Sequence, residues 1–181
     1  MKHKVMLVLV ILAVFALSIS VSAQEPRTVR IGLSWNQYDV SLVYAWEAYM
    51  QAQGVVQGEA AGLNIEWVIN AADGDPARQA ANIEDLLNQG VDLIIARAED
   101  SAAIGSSVRA AQDAGVPFIT FDRASKTTAP TAHVGGDSYA QALTTAEAFA
   151  QLLTDNGVTG SCIELQGALT DENAVNRSVA W

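Results

Sequence analysis

Asp122 and Arg123 stand at the end of a short apolar run, residues 116–121, that follows Gly115. An adjacent carboxylate and guanidinium can grip neighbouring hydroxyl groups, one as an acceptor and the other as a forked donor. If the run is a strand of an open parallel sheet, the pair projects beyond its carboxyl end, where such sheets bind ligands. The other reading is a solvent-exposed ion pair at the start of a loop. Ser34, Trp35, Asn36 and Tyr38 follow a first apolar run, residues 28–33, in the same manner. Carbohydrates need this mixture: their hydroxyls take Asp, Asn and Arg partners, and their C–H faces stack on aromatic rings. Trp35 has a competing role as core packing at a strand end. Arg97 and Glu99, after a third run, read as a surface pair and stay outside the expected site.

Other chemistries lack their residues. No Gly-x-Ser-x-Gly elbow seats a hydrolase nucleophile, no Gly-x-Gly-x-x-Gly follows the first strand, and no Gly-Lys-Ser/Thr loop cradles a phosphate. The acidic pairs Asp73/Asp75 and Glu99/Asp100 read as helix caps. Cys162, the single cysteine, allows no internal disulfide and reads as a buried thiol in an apolar strand. His133 reads as a packed or hydrogen-bonded imidazole, and no cofactor or metal is implied.

The elements that must position these groups alternate along 181 residues. Lys2 and Lys4 precede an apolar run, residues 5–17, and Val21-Ser22-Ala23 offers a small-residue cleavage pattern. The expectation is a secretory signal peptide over 1–23, cut after Ala23, which places the protein in the periplasm or outside the cell. An uncleaved membrane anchor is the competing reading. Removing Lys2 and Lys4 from the ten basic residues leaves 8 against 20 acidic, a net charge of −12, and only His133 of the two histidines. That balance repels nucleic acid and phosphate.

Strands are expected at 28–33, 63–69, 91–96, 116–121, 131–134 and 161–165. The intervening helices start at Ser41, at Asp75-Pro76 (N-cap and first turn), at Ser101, at Ser138 and near Asp171 or Glu172. Residues 54–62 read as a loop. Gly90-Val91, Gly115-Val116 and Gly157-Val158 repeat one device, a glycine of positive φ closing a helix before the chain turns towards a strand. The fold class is α/β, a parallel sheet covered by helices on both faces. Gly135-Gly136-Asp137 interrupts the rhythm where a crossing to a second lobe would fall, giving lobes at 24–136 and 137–181. The second holds one strand and little more than one helix, too little for a core, so it reads as incomplete.

The chain resembles the periplasmic sugar-binding proteins of ABC transporters, in the ribose-binding-like type I group. The resemblance rests on Arg30-Ile31-Gly32-Leu33-Ser34, on residues 83–92, and on Gly115-Val116-Pro117 through Asp122-Arg123. Ile163-Glu164-Leu165-Gln166-Gly167 and Asn173-Ala174-Val175-Asn176-Arg177 extend it to the end. It implies that Asp122 and Arg123 grip sugar hydroxyls, that Arg177 closes from the second lobe, and that Asn173 supplies an amide. Ser34 matches the polar first-loop position. The aromatic pair usual there is absent, and Trp35 or Tyr38 would supply the stacking face. Gly135, Gly136 and Asp137 match the first hinge crossing. Also implied are a monosaccharide ligand (pentose or hexose), a monomer without chemistry of its own, and an ABC permease as partner. The alternatives are a sensing module feeding a chemoreceptor or sensor kinase, and an exported α/β enzyme.

Overall fold

The computed structural model describes residues 26–38 and 41–181. The expected signal peptide, its cleavage after Ala23 and the possible anchor lie outside these residues. Among the described residues no helix is long and apolar enough to cross a membrane.

Five strands, β1 (Arg27–Trp35), β2 (Leu63–Ala71), β3 (Leu93–Ala96), β4 (Phe118–Phe121) and β5 (Ala132–Val134), form one sheet in the order β2-β1-β3-β4-β5. Every neighbouring pair is parallel, with Leu33 opposite Ile69 and Ile95, and Ile95 opposite Ile119. Helix α1 (Ser41–Ala61) covers one face, and α2 (Pro76–Asn88) and α3 (Ile104–Asp113) cover the other. Alternation along β1 divides the core. Leu33 and Trp35 pack with Val43, Trp46, Met50 and Phe121 on the α1 side. On the opposite side Ile83, Leu86, Ile94, Val108 and Phe118 form the larger cluster. The expected α/β class is the observed one.

The repeated Gly-Val device closes three helices in one way. The N–H groups of Gly90, Gly115 and Gly157 bond the carbonyls of Leu87, Gln112 and Thr154, and those of Val91, Val116 and Val158 bond Leu86, Ala111 and Leu153. This double bond pattern is the Schellman motif, and the three glycines take φ of 71°, 72° and 61°. Because Val91 and Val116 complete these caps, β3 and β4 begin two residues later than the apolar runs suggest.

Several expectations need correction. Residues 54–61 continue α1 instead of forming a loop. Gly54 and Gly58 lie four apart on one helical face, and a Cβ there would come within 2.9 Å of Trp67 and of Ile65. They are glycines because the helix packs closely on β2. The Ser34-Trp35 pair ends β1 instead of opening a loop. Ser101 is not the cap of α3, whose N-cap position is Ala103 without a side-chain cap bond; the Asp100 carboxylate holds the preceding turn, accepting from the N–H groups of Ala102 and Ala103 at 2.7 and 2.8 Å. The strand expected at 161–165 does not form, since among the described residues no neighbouring strand satisfies its backbone groups. Ile163 and Leu165 are 90% and 94% exposed, and Cys162 is exposed too.

Beyond β5, α4 (Ser138–Asp155) and α5 (Glu172–Val179) pack against each other, with Phe149 and Trp181 edge to face at 5.9 Å. Asp137 caps α4 through the Ala140 N–H at 2.9 Å, and Asp171 caps α5 through the Asn173 N–H at 3.0 Å. Leu143 and Phe149 of α4 remain partly exposed, because among the described residues α5 is the element that packs against α4.

Candidate functional site

The chain leaves β1 to one side for β2 and crosses to the other for β3, so β1 and β3 flank a topological switch point. Ligands of open α/β sheets bind beyond the carboxyl ends of the strands at such a point. Here β1 delivers Asn36, β3 delivers Arg97 and Glu99, and β4 delivers Asp122 and Arg123.

These side chains form a connected cluster. Arg97 Nε donates to Asp122 Oδ2 at 2.7 Å and Arg97 Nη1 to Asn36 Oδ1 at 2.6 Å. Asn36 Nδ2 donates to Glu99 Oε2 at 2.9 Å. The Arg97 guanidinium also lies 5.8 Å from the Trp46 ring centroid, within cation–π range. Behind the cluster, buried Gln79 of α2 donates to the Arg97 carbonyl at 2.8 Å and accepts from the Glu99 N–H at 2.8 Å, which fixes the loop after β3.

Asp122 has φ +61°, and the Arg123 N–H turns back to the Phe121 carbonyl at 2.7 Å. This tight turn places a non-glycine residue in the left-handed region, a strain that Asp tolerates better than most residues. It separates the two neighbouring side chains. Asp122 pairs with Arg97, whereas Arg123 Nε lies 3.0 Å from Asp171 Oδ2 and its Nη1 donates to the Ala98 carbonyl at 3.2 Å. Arg123 and Asp171 are both 14% exposed, so each offsets the other's desolvation.

Trp35 is wholly buried in the core, with Nε1 donating to Glu47 Oε2 at 2.7 Å. Its ring meets Phe121 edge-on at 6.3 Å, so the core-packing reading holds for this residue. Tyr38 donates its hydroxyl to the same Glu47 oxygen and stacks on Tyr44 at 5.0 Å. Burial, then the bond to Glu47, pushes the Tyr38 phenol well above its ordinary range. Ser34 is fully buried, and its Oγ has no hydrogen-bond partner among the described residues.

Asn173, at the start of α5, bridges regions: Nδ2 donates to the Asp122 carbonyl at 3.0 Å, and Oδ1 accepts from Ser138 Oγ at 2.9 Å. Arg177 is exposed in the last turn of α5 and, among the described residues, makes no hydrogen bond or ion pair with the cluster. Gly135 lies against the His133 ring, where a Cβ would come within 2.4 Å of Nε2; Gly136 and the capping residue Asp137 follow.

The structure thus joins Asn36, Asp122, Arg123 and Asn173 in one neighbourhood and leaves Arg177 apart. It adds Arg97 and Glu99, which sequence reasoning set aside as a surface pair. The signal was available: both follow β3 as Asp122 and Arg123 follow β4.

The family model for the periplasmic binding protein domain matches residues 40–181. The chain belongs to that family. The ribose import binding protein of Haemophilus influenzae is 29% identical over 167 residues, 92% of this chain and 53% of the relative. A solved ABC transporter solute-binding protein from Bacillus halodurans, with bound myo-inositol, is 25% identical with a TM-score of 0.71, covering 88% of this chain and 52% of that one. The fructose-binding periplasmic domain of a hybrid two-component system shares the fold, with a TM-score of 0.74 and 24% identity over 84% of this chain and 48% of that one. The chain spans about half the length of these family members.

Proposed function

We propose that this chain carries the ligand-gripping lobe of an exported substrate-binding protein. It captures a monosaccharide, pentose or hexose, and delivers it to an ABC transporter permease. The observation that carries this reading is the Asn36–Arg97–Asp122 cluster at the switch point of a periplasmic binding protein sheet. Asp122 and Arg123 offer a hydroxyl acceptor and donors, Arg97 and buried Asn36 hold them in place, and Trp46 lies beside Arg97 to close the apolar side. The relative from Haemophilus influenzae is named for ribose import, and the Bacillus halodurans structure holds a cyclic polyol, which supports a polyhydroxy ligand.

In this reading residues 24–136 are the first lobe, 137–181 begin the second, and Gly135-Gly136-Asp137 is a hinge crossing. Residues 1–23 direct export to the periplasm, Arg177 approaches only when the lobes close, and the protein works as a monomer without catalysis or cofactor. The likeness to the fructose-binding domain of a two-component system supports a second reading, in which the sugar-loaded form signals to a sensor kinase or chemoreceptor.

Isothermal titration of the chain with ribose, xylose, glucose, fructose and myo-inositol tests the proposal. Saturable binding that weakens at least about 100-fold in Asp122→Ala supports it. A folded chain that binds none of these ligands, or an Asp122→Ala variant that binds as well as the parent, overturns it.

A further inference from the structure

We propose that Arg97 is a positioning residue of the ligand site, the clamp that fixes Asn36 and Asp122 relative to each other. This rests on the proposed function above for its ligand but not for its geometry. Asn36 follows β1 and Asp122 follows β4, with β3 between them in the sheet. The structure records no hydrogen bond between the two side chains; what joins them is the guanidinium rooted at the end of β3. Arg97 Nε reaches Asp122 at 2.7 Å and Nη1 reaches Asn36 at 2.6 Å.

The clamp is itself held. Its side chain is 12% exposed, Gln79 fixes the Arg97 carbonyl from below, and the guanidinium lies near the Trp46 ring. Two consequences follow for the ligand. Asp122 Oδ2 is committed to Arg97, so Oδ1, without a protein partner among the described residues, is the oxygen left to accept a ligand hydroxyl. The Arg97 charge also offsets that of Asp122, which suits an uncharged polyhydroxy ligand better than an anion or cation. A planar fork is required, because a lysine ammonium is a single point charge at the end of a flexible stem and cannot align two acceptors.

The test compares Arg97→Lys, Asp122→Asn and the double variant in the whole chain, titrated with ribose, xylose, xylitol and myo-inositol. Arg97→Lys is expected to weaken binding at least about tenfold, and the double variant to bind no more weakly than Asp122→Asn alone, because Arg97 acts through Asp122. Independent, multiplying losses, or Arg97→Lys binding within twofold of the parent, would overturn the clamp.

A ligand-free measurement decides the matter even if no sugar binds, in which case the proposed function fails separately. In the NMR spectrum of the unmodified chain, the Arg97 Nε–H should exchange slowly with water, and the Asn36 side-chain amide should move on Arg97→Lys but not on Arg109→Lys. A fast-exchanging Nε–H, or an Asn36 amide indifferent to Arg97, overturns the proposal. The Nε–H readout needs no variant to fold.

Discussion

At the carboxyl edge of β1, β3 and β4 the charged side chains are matched to one another, whereas along residues 158–170 apolar side chains stand in water. Arg97 has Asp122 and Asn36, and Arg123 has Asp171 and the Ala98 carbonyl, all within a largely buried cluster. Ile163, Leu165 and Leu169 meet no sheet and stay exposed. Both regions were expected to be built on strands. What separates them is neighbours. A strand needs a partner for its N–H and C=O groups, and β3 has one on each side, whereas residues 161–165 have none among the described residues. The same dependence explains α4, whose apolar side packs on α5 and, among the described residues, on no sheet.

Truncating one apolar side chain in each region should have very different costs. Phe118→Ala, at a fully buried position over α2 and α3, should cost about 3–5 kcal/mol in denaturant unfolding. Leu152→Ala, on the 58% exposed side of α4, should stay within about 0.5 kcal/mol. Equal costs would mean that α4 is buried against something in solution and that the contrast is false.

A smaller effect tests the close packing of α1 on β2. Gly54→Val forces a side chain into the Trp67 ring and should destabilise by about 1–3 kcal/mol. A gain in stability, as expected of a loop or an open helix surface, would count against that packing. The smallest effect is at the α2 cap. Asp75 accepts from the N–H groups of Ala77 and Arg78, so Asp75→Ala should cost about 1 kcal/mol by thermal unfolding, with binding unchanged. A loss of binding there would show that the cap is coupled to the cleft.

Much of this architecture is legible in the sequence because its signals are local. Asp75-Pro76 starts α2, and three Gly-Val steps end helices through short-range bonds that depend on the chain nearby. The helix–strand rhythm also places Asp122 and Arg123 just beyond the carboxyl end of β4. The misreadings are non-local. Gly54 and Gly58 resemble loop residues until Trp67 and Ile65 are known to press against them. Arg97 resembles half of a surface pair until Asp122, 25 residues later, and Asn36, 61 residues earlier, are brought to it. Conversely, Ser34 has the right type and position for a ligand group, yet strand alternation turns it away from Trp35 and buries it.

The central claim is that ligand binds at the carboxyl edge of β1, β3 and β4. Two-dimensional NMR of the labelled chain during titration with xylose or ribose tests it most directly. Saturable shifts are expected at Asn36, Arg97, Asp122 and Arg123, with the outer surface of α3 around Ser106, Arg109 and Asp113 unmoved. Shifts confined to that α3 surface, or a spectrum unchanged by every sugar, would contradict it.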